Sequence, residues 1–130
     1  MVVQCSLARA SRPGARPLNE IGSWASDTAN NYVFDVNDSG YFGVSRLSED
    51  KWEIPPLGDT ETTALKQGLN QWNDVEVDLV GNRAIFFING HRVGQVVGRP
   101  PSDGFLVGLY MQPPEKSLGT VQFRSFKITR

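Results

Sequence analysis

Apolar residues in this chain recur at every second position, and glycine or proline interrupts nearly every longer window. Period two is the signature of a half-buried strand, whereas an amphipathic helix needs a period of 3.6. Val2–Ala8 opens the chain as a strand, and Ile21–Ser26 follows across the Pro- and Arg-rich loop Arg9–Leu18. After the polar turn Asp27–Asn30, Tyr32–Val36 alternates with Tyr32, Phe34 and Val36 on one face. Asn37-Asp38-Ser39-Gly40 is turn chemistry, because Asn, Asp and Gly tolerate the positive φ of a tight reversal. Tyr41–Leu47 returns as the second arm of that hairpin, and Trp52–Ile54 is a brief strand stopped by Pro55-Pro56. Thr60–Gly68 reads as a loop with room for one helical turn.

The second half is more regular. In Trp72–Val80 the residues Val75, Val77 and Leu79 point one way, and Asp74, Glu76 and Asp78 the other. Gly81-Asn82 turns the chain into Arg83–Ile88, and Asn89-Gly90 turns it again into His91–Val97. Asn-Gly between alternating runs is a strong hairpin signal, since both central residues of a type I′ turn need φ > 0. Past the loop Gly98–Gly104, Phe105–Gln112 and Val121–Thr129 complete the set. The phase switch between Phe123 and Phe126 predicts a bulge. About ten short strands with turns every eight to twelve residues describe an antiparallel sandwich or a barrel, and periodicity does not separate the two.

Composition narrows the function classes. With 130 residues the chain fits one domain, 1–130, with one hydrophobic core. A formal net charge of −1 offers no field for polyphosphate, so nucleic acid is not an expected partner, and Arg124, Lys127 and Arg130 read as a solvated strand face. No apolar run is long enough for membrane insertion. The first residues, MVVQCSLARASR, lack the charged-then-apolar order of a signal peptide. Cys5 is the only cysteine, so no internal disulfide forms, and its strand position makes it a buried small hydrophobe.

The order of these segments, NNYVFDVNDSGYFGVSRL, then WNDVEVDLVGNRAIFFINGHRVGQV, then DGFLVGLYM and VQFRSFKIT, resembles the concanavalin A-like lectin/glucanase superfamily. More narrowly it looks like the bacterial laminin G-like domains, which are related to 3-keto-disaccharide hydrolase-like modules of unknown function. The matching residues are Tyr32, Phe34, Gly40 and Tyr41, then Trp72, Asn73, Gly81, Asn82, Asn89 and Gly90, then Gly104, Val107, Gly108, Leu109, Phe123 and Phe126. The resemblance implies an all-β antiparallel jelly-roll sandwich with Trp72 in its core. It also implies an accessory module, extracytoplasmic, partnered by other domains of a parent protein. Family members carry further strands before the position where this chain begins, which implies excision from a longer protein or a first strand supplied by another segment.

Three kinds of chemistry compete for the polar residues. Asp74, Glu76 and Asp78 share one strand face, the arrangement by which retaining glucanases set two carboxyls about 5 Å apart; the plainer reading is a solvated face, and the glucanase order of Glu and Asp is absent. Calcium could use the loop oxygens of Asp27, Asn30, Asp38, Asp59 and Asp103, but these residues form no dense ligand motif, so no cofactor is expected. Sugar binding would use exposed aromatic rings with polar neighbours. Trp24, Tyr41, Trp52 and Tyr110 are the candidate platforms, with Arg46, His91 and Arg92 as polar partners. A lone histidine and a lone cysteine build no zinc site. The expected function is a non-catalytic recognition module for a glycan or a protein surface. The alternatives are an assembly domain using an edge strand near Val2 or the Arg9–Leu18 and Gly98–Gly104 loops, and a glycosidase-like enzyme through Asp74, Glu76 and Asp78.

Overall fold

The computed structural model describes residues 1–9, 18–37, 39–68, 70–102, 104–112 and 121–130. Eleven strands run β1 (Val2–Arg9), β2 (Leu18–Asp27), β3 (Asn30–Val36), β4 (Tyr41–Ser48), β5 (Lys51–Trp52), β6 (Leu57–Glu61), β7 (Asn73–Val80), β8 (Arg83–Ile88), β9 (His91–Val97), β10 (Leu106–Gln112) and β11 (Val121–Thr129). No helix occurs among the described residues, so Thr60–Gly68 holds no helical turn. The strands form two antiparallel sheets: a five-stranded sheet in the order β11-β1-β7-β8-β9, and a six-stranded sheet in the order β10-β2-β3-β4-β5 with β6 also on β4.

The core lies between the sheets and is built by alternation. Val3, Cys5, Leu7, Val75, Val77, Leu79, Phe86 and Ile88 face inward from one sheet, and Phe34, Val36, Phe42 and Val44 from the other. Phe34 sits at the centre, 4.7 Å from Phe86 across the interface and 6.3 Å from Phe42 beside it, ring centroid to centroid. Burying such large side chains stabilises a fold by about 1.5–3 kcal/mol each. Cys5 is one of these inward residues, and burial, reinforced by the nearby Asp74 charge, pushes its thiol up to about 12. It is a small hydrophobe in the core, as its sequence position implied.

The turns follow their residues. Asn89 and Gly90 adopt φ of 49° and 80°, the two positive values of a type I′ turn. Gly81 alone is positive in its turn, at 59°, which matches the type II′ pattern. Asn37 Oδ1 accepts hydrogen bonds from the amides of Ser39 and Tyr41, closing the β3–β4 hairpin as an Asx turn; Asp38 lies outside the described residues. The bulge expected between Phe123 and Phe126 is present: Ser125 has φ 58°, and the β1–β11 register shifts between Gln4 and Ser6.

Three expectations are corrected. Strand β6 lies within a stretch read as a proline stop and a loop; Gly58, Asp59 and Glu61 are poor strand formers, and pairing with β4 at the sheet edge overrides that weakness. Trp72 is only half-buried, because it precedes β7 at the end of the sheet, and the Arg124 guanidinium stacks 3.9 Å from its ring. Strand β1 is flanked by β11 and β7, so Val2–Arg9 presents no unpaired edge.

Candidate functional site

The six candidate ligand-binding residues whose side chains are described do not converge. Trp24 is 3% exposed: φ of 46° in a β2 irregularity turns its ring into the core, edge-on to Tyr32 at 5.4 Å. A buried ring has no face to offer a ligand, so Trp24 is withdrawn from the site. Gly98 passes directly over this pair, where a Cβ would come within 2.6 Å of the Trp24 ring, and the Arg99 amide donates to the Tyr32 hydroxyl. Arg46 belongs to the same rim. It stacks 5.2 Å from the Tyr32 ring and bonds Glu53 at 3.1 Å, so both its charge and its plane are engaged.

His91 and Arg92 lie on β9, at the edge of the other sheet. They line a groove of about 360 Å³ with Phe42, Thr60, Glu61 and Thr63. Tyr41 is half-exposed opposite Glu61, at the far end of β4 from Trp52. Tyr110 pairs through its backbone with Glu20, and its side chain lies outside the described residues. Trp52 remains as an open aromatic surface: it is 56% exposed on β5.

Strand register shows what accompanies Trp52. On β3 and β4 the residues Tyr32, Phe34, Val44 and Phe42 face the core, so Asn31, Val33, Asp35, Gly43, Ser45 and Leu47 face outward. Asn31 pairs with Leu47, and Leu47 with Trp52, which sets the three in one row on the outward face. Beside Asn31 on the β2 and β10 side lies a hollow of about 170 Å³, walled by Gly22, Ala25, Leu106 and Gly108. Further along the same face Asp35 and Asp59 approach each other across Gly43, whose Cβ would lie 3.4 and 3.1 Å from their Oδ1 atoms. Burial, with the Asp59 charge adding to it, raises Asp35 to about 6, against a hydrogen bond from Ser45 that pulls the other way.

The outward face of the five-stranded sheet differs. Asp74, Glu76, Gln4, Ser6, Phe87 and Lys127 line a groove of about 330 Å³. Ser6 donates to Asp74 and Gln4 donates to Glu76 at 2.6 Å, so strand neighbours already hold the carboxylates. Of the calcium candidates, Asp27 caps its own turn by accepting from Ala29 N and Asn30 Nδ2, and Asn30 Oδ1 accepts from Glu49 N; Asp38 and Asp103 lie outside the described residues. Among the described residues no three His, Cys, Asp or Glu side chains cluster as metal ligands.

No family model and no curated protein matches the chain. Solved structures do. A carbohydrate binding module, CBM66 from Bacillus subtilis, superposes with a TM-score of 0.70 at 12% identity, covering 96% of this chain and 71% of that one. Chicken galectin 2 gives 0.65 at 16% identity over 96% and 88%, and sheep galectin-11, solved with glycerol, gives 0.64 at 16% over 95% and 88%. The fold is an antiparallel jelly-roll sandwich like that of these structures. It is the concanavalin A-like sandwich that the hairpin series implied, and at these identities the likeness speaks for the fold alone. On this jelly roll the candidate platform Trp52 is exposed, while Asn31 was not a candidate, since an asparagine at the start of a strand carries no signal of what its side chain will meet.

Proposed function

We propose that the chain is a non-catalytic recognition module that binds carbohydrate on the outward face of the six-stranded sheet, with Trp52 as its stacking surface. The observation that carries this reading is the exposure of Trp52 in line with Leu47 and the hollow beside Asn31. A large aromatic ring left open on a sheet face costs hydration free energy, and a pyranose ring laid on it recovers that loss while its hydroxyls stay available to polar neighbours. The names of the structural neighbours, galectins and a carbohydrate binding module, support the same reading. The narrower likeness to bacterial laminin G-like accessory modules, with an extracytoplasmic setting, belongs to this proposal.

Catalysis is the weaker reading. Asp74 and Glu76 lie on the other sheet, each already bonded to a neighbouring side chain. A glycan array followed by calorimetric titration tests the proposal. Binding of at least one oligosaccharide, weakened about tenfold or more by Trp52→Ala, is expected. Binding of no glycan, or binding untouched by that variant, would overturn it.

A further inference from the structure

We infer that Asp35 and Asp59 form a pH-sensitive latch on β6: with both carboxyls ionised, β6 loosens from β4 and carries with it the segment that holds Trp52. The inference rests on the proposed carbohydrate binding and adds its regulation.

Asp35 faces outward from β3, yet it is only 7% exposed. Its neighbour on β4 is Gly43, and beyond Gly43 lies Asp59 on β6. The Oδ1 atoms of the two carboxyls stand 3.4 and 3.1 Å from the point where a Gly43 Cβ would lie, so both lean into the space of one missing side chain. Ser45 on β4 donates a hydrogen bond to Asp35. On the β2 side the register sets Glu20 opposite Asp35, and on β6 Glu61 shares the parity of Asp59. The charged residues that the register places around Asp35 are therefore acids.

An ionised Asp35 is out of water and beside a like charge, with the Ser45 bond as its offset. Burial first, and the Asp59 charge second, raise it from 3.8 to about 6. Because the folded value is raised, the docked arrangement is fully stabilised below about pH 4 and loses that stabilisation as pH rises through about 6.

Strand β6 is the element that can yield. Strand β3 is held on both sides by β2 and β4, whereas β6 pairs with β4 alone. Gly58–Glu61 are exposed, and Leu57 is the apolar anchor that packs against the core. Gly58 and Asp59 add little strand preference. Moving β6 off β4 separates the carboxyls and admits water to Asp35, which relieves both causes together. The motion reaches Trp52 through the chain itself. Pro55-Pro56 stiffen the short link between β5 and β6. Strand β5 is held to β4 by the pairs Leu47–Trp52 and Ser48–Lys51 and by the exposed Arg46–Glu53 ion pair.

The test is amide hydrogen exchange of the intact chain at pH 5 and pH 8, corrected for the intrinsic pH dependence of exchange. The opening constant of Leu57–Glu61 should rise about tenfold between the two, the share of the Asp35 shift that falls in that window. It should exceed that of the β7–β8 amides at both values, the mark of local opening. Asp35→Asn should hold the β6 constant within twofold across the range. Asp59→Asn should leave a smaller rise, since burial of Asp35 persists. The best glycan from an array, at about a hundred times its Kd, should slow β6 exchange at pH 8 tenfold or more, because binding favours the docked platform. A pH response that survives Asp35→Asn, or β6 opening no more readily than β7–β8, would overturn the latch and leave the carbohydrate module standing. A glycan that binds without slowing β6 exchange would overturn the link to Trp52. Binding of no glycan, with the pH-dependent opening intact, would overturn the carbohydrate reading instead.

Discussion

Asn73 and Asn31 are both asparagines at the start of a strand and both are buried, at 6% and 4% exposure. Their surroundings are opposite. Asn73 Oδ1 accepts from the Lys66 amide at 2.8 Å and from Asn89 Nδ2 at 2.9 Å, while its Nδ2 donates to the Lys66 carbonyl at 3.0 Å. Asn89 extends the network by accepting from Asp74 N and donating to the Ala64 carbonyl. The 62–68 segment is thereby fastened to the β7–β8 sheet, with each amide satisfied from within the fold. Asn31 has one bond and an orphaned oxygen. A buried polar group whose bonds come from its own chain fastens the fold, whereas the Asn31 oxygen is buried with one bond missing.

The largest expected effect comes from breaking the closed side. Asn73→Ala leaves the Lys66 amide and carbonyl unpaired and removes one of the bonds of Asn89 Nδ2, and should lower stability by about 3 kcal/mol, read from the urea midpoint at constant m. Next is Asp35, the other strained polar group of the six-stranded face. Its folded pKa of about 6 lies above the ordinary 3.8, so the fold holds its proton more tightly than the unfolded chain does. Stability from this group is therefore fully present below about pH 4 and is lost as pH rises through about 6, by roughly 2–3 kcal/mol in total. Asp35→Asn should recover that amount at pH 8 and none at pH 4, as thermal melts at the two values would show. A pH-independent difference between the two proteins would mean that the Asp35 carboxyl is not held up by burial and Asp59.

Asn31→Leu should cost less than about 1 kcal/mol or stabilise the fold slightly, because one weak hydrogen bond is exchanged for apolar contact and an orphan is removed. A loss as large as that of Asn73→Ala would erase the distinction between the two asparagines. Trp52→Ala should change stability by no more than about 0.5 kcal/mol, the usual range for an exposed side chain, checked by the same denaturation curves.

Most of the fold was legible in the sequence because strand alternation and turn residues are local signals. Val75, Val77 and Leu79 face inward as read, and Asn89-Gly90 forms its turn with the φ values its residues favour. Strand β6 was hidden because Gly58, Asp59 and Glu61 carry little strand preference, and its pairing with β4 through Leu57, Thr60 and Glu61 is a tertiary effect. The site was less legible. Whether an aromatic is a platform depends on the parity of its strand and on local irregularities: one positive φ sends Trp24 inward, while pairing with Leu47 turns Trp52 outward. An unpaired oxygen such as that of Asn31 is defined by what neighbouring strands fail to supply, and no single-residue pattern encodes it.

The central claim is that the six-stranded face binds carbohydrate while the five-stranded face does not. The direct measurement is titration of the best glycan from an array into the wild-type chain, Trp52→Ala and Glu76→Gln. The account predicts that Trp52→Ala weakens binding about tenfold or more and that Glu76→Gln leaves it within twofold. Loss of binding in Glu76→Gln with Trp52→Ala unaffected would contradict it and move the site to the opposite sheet.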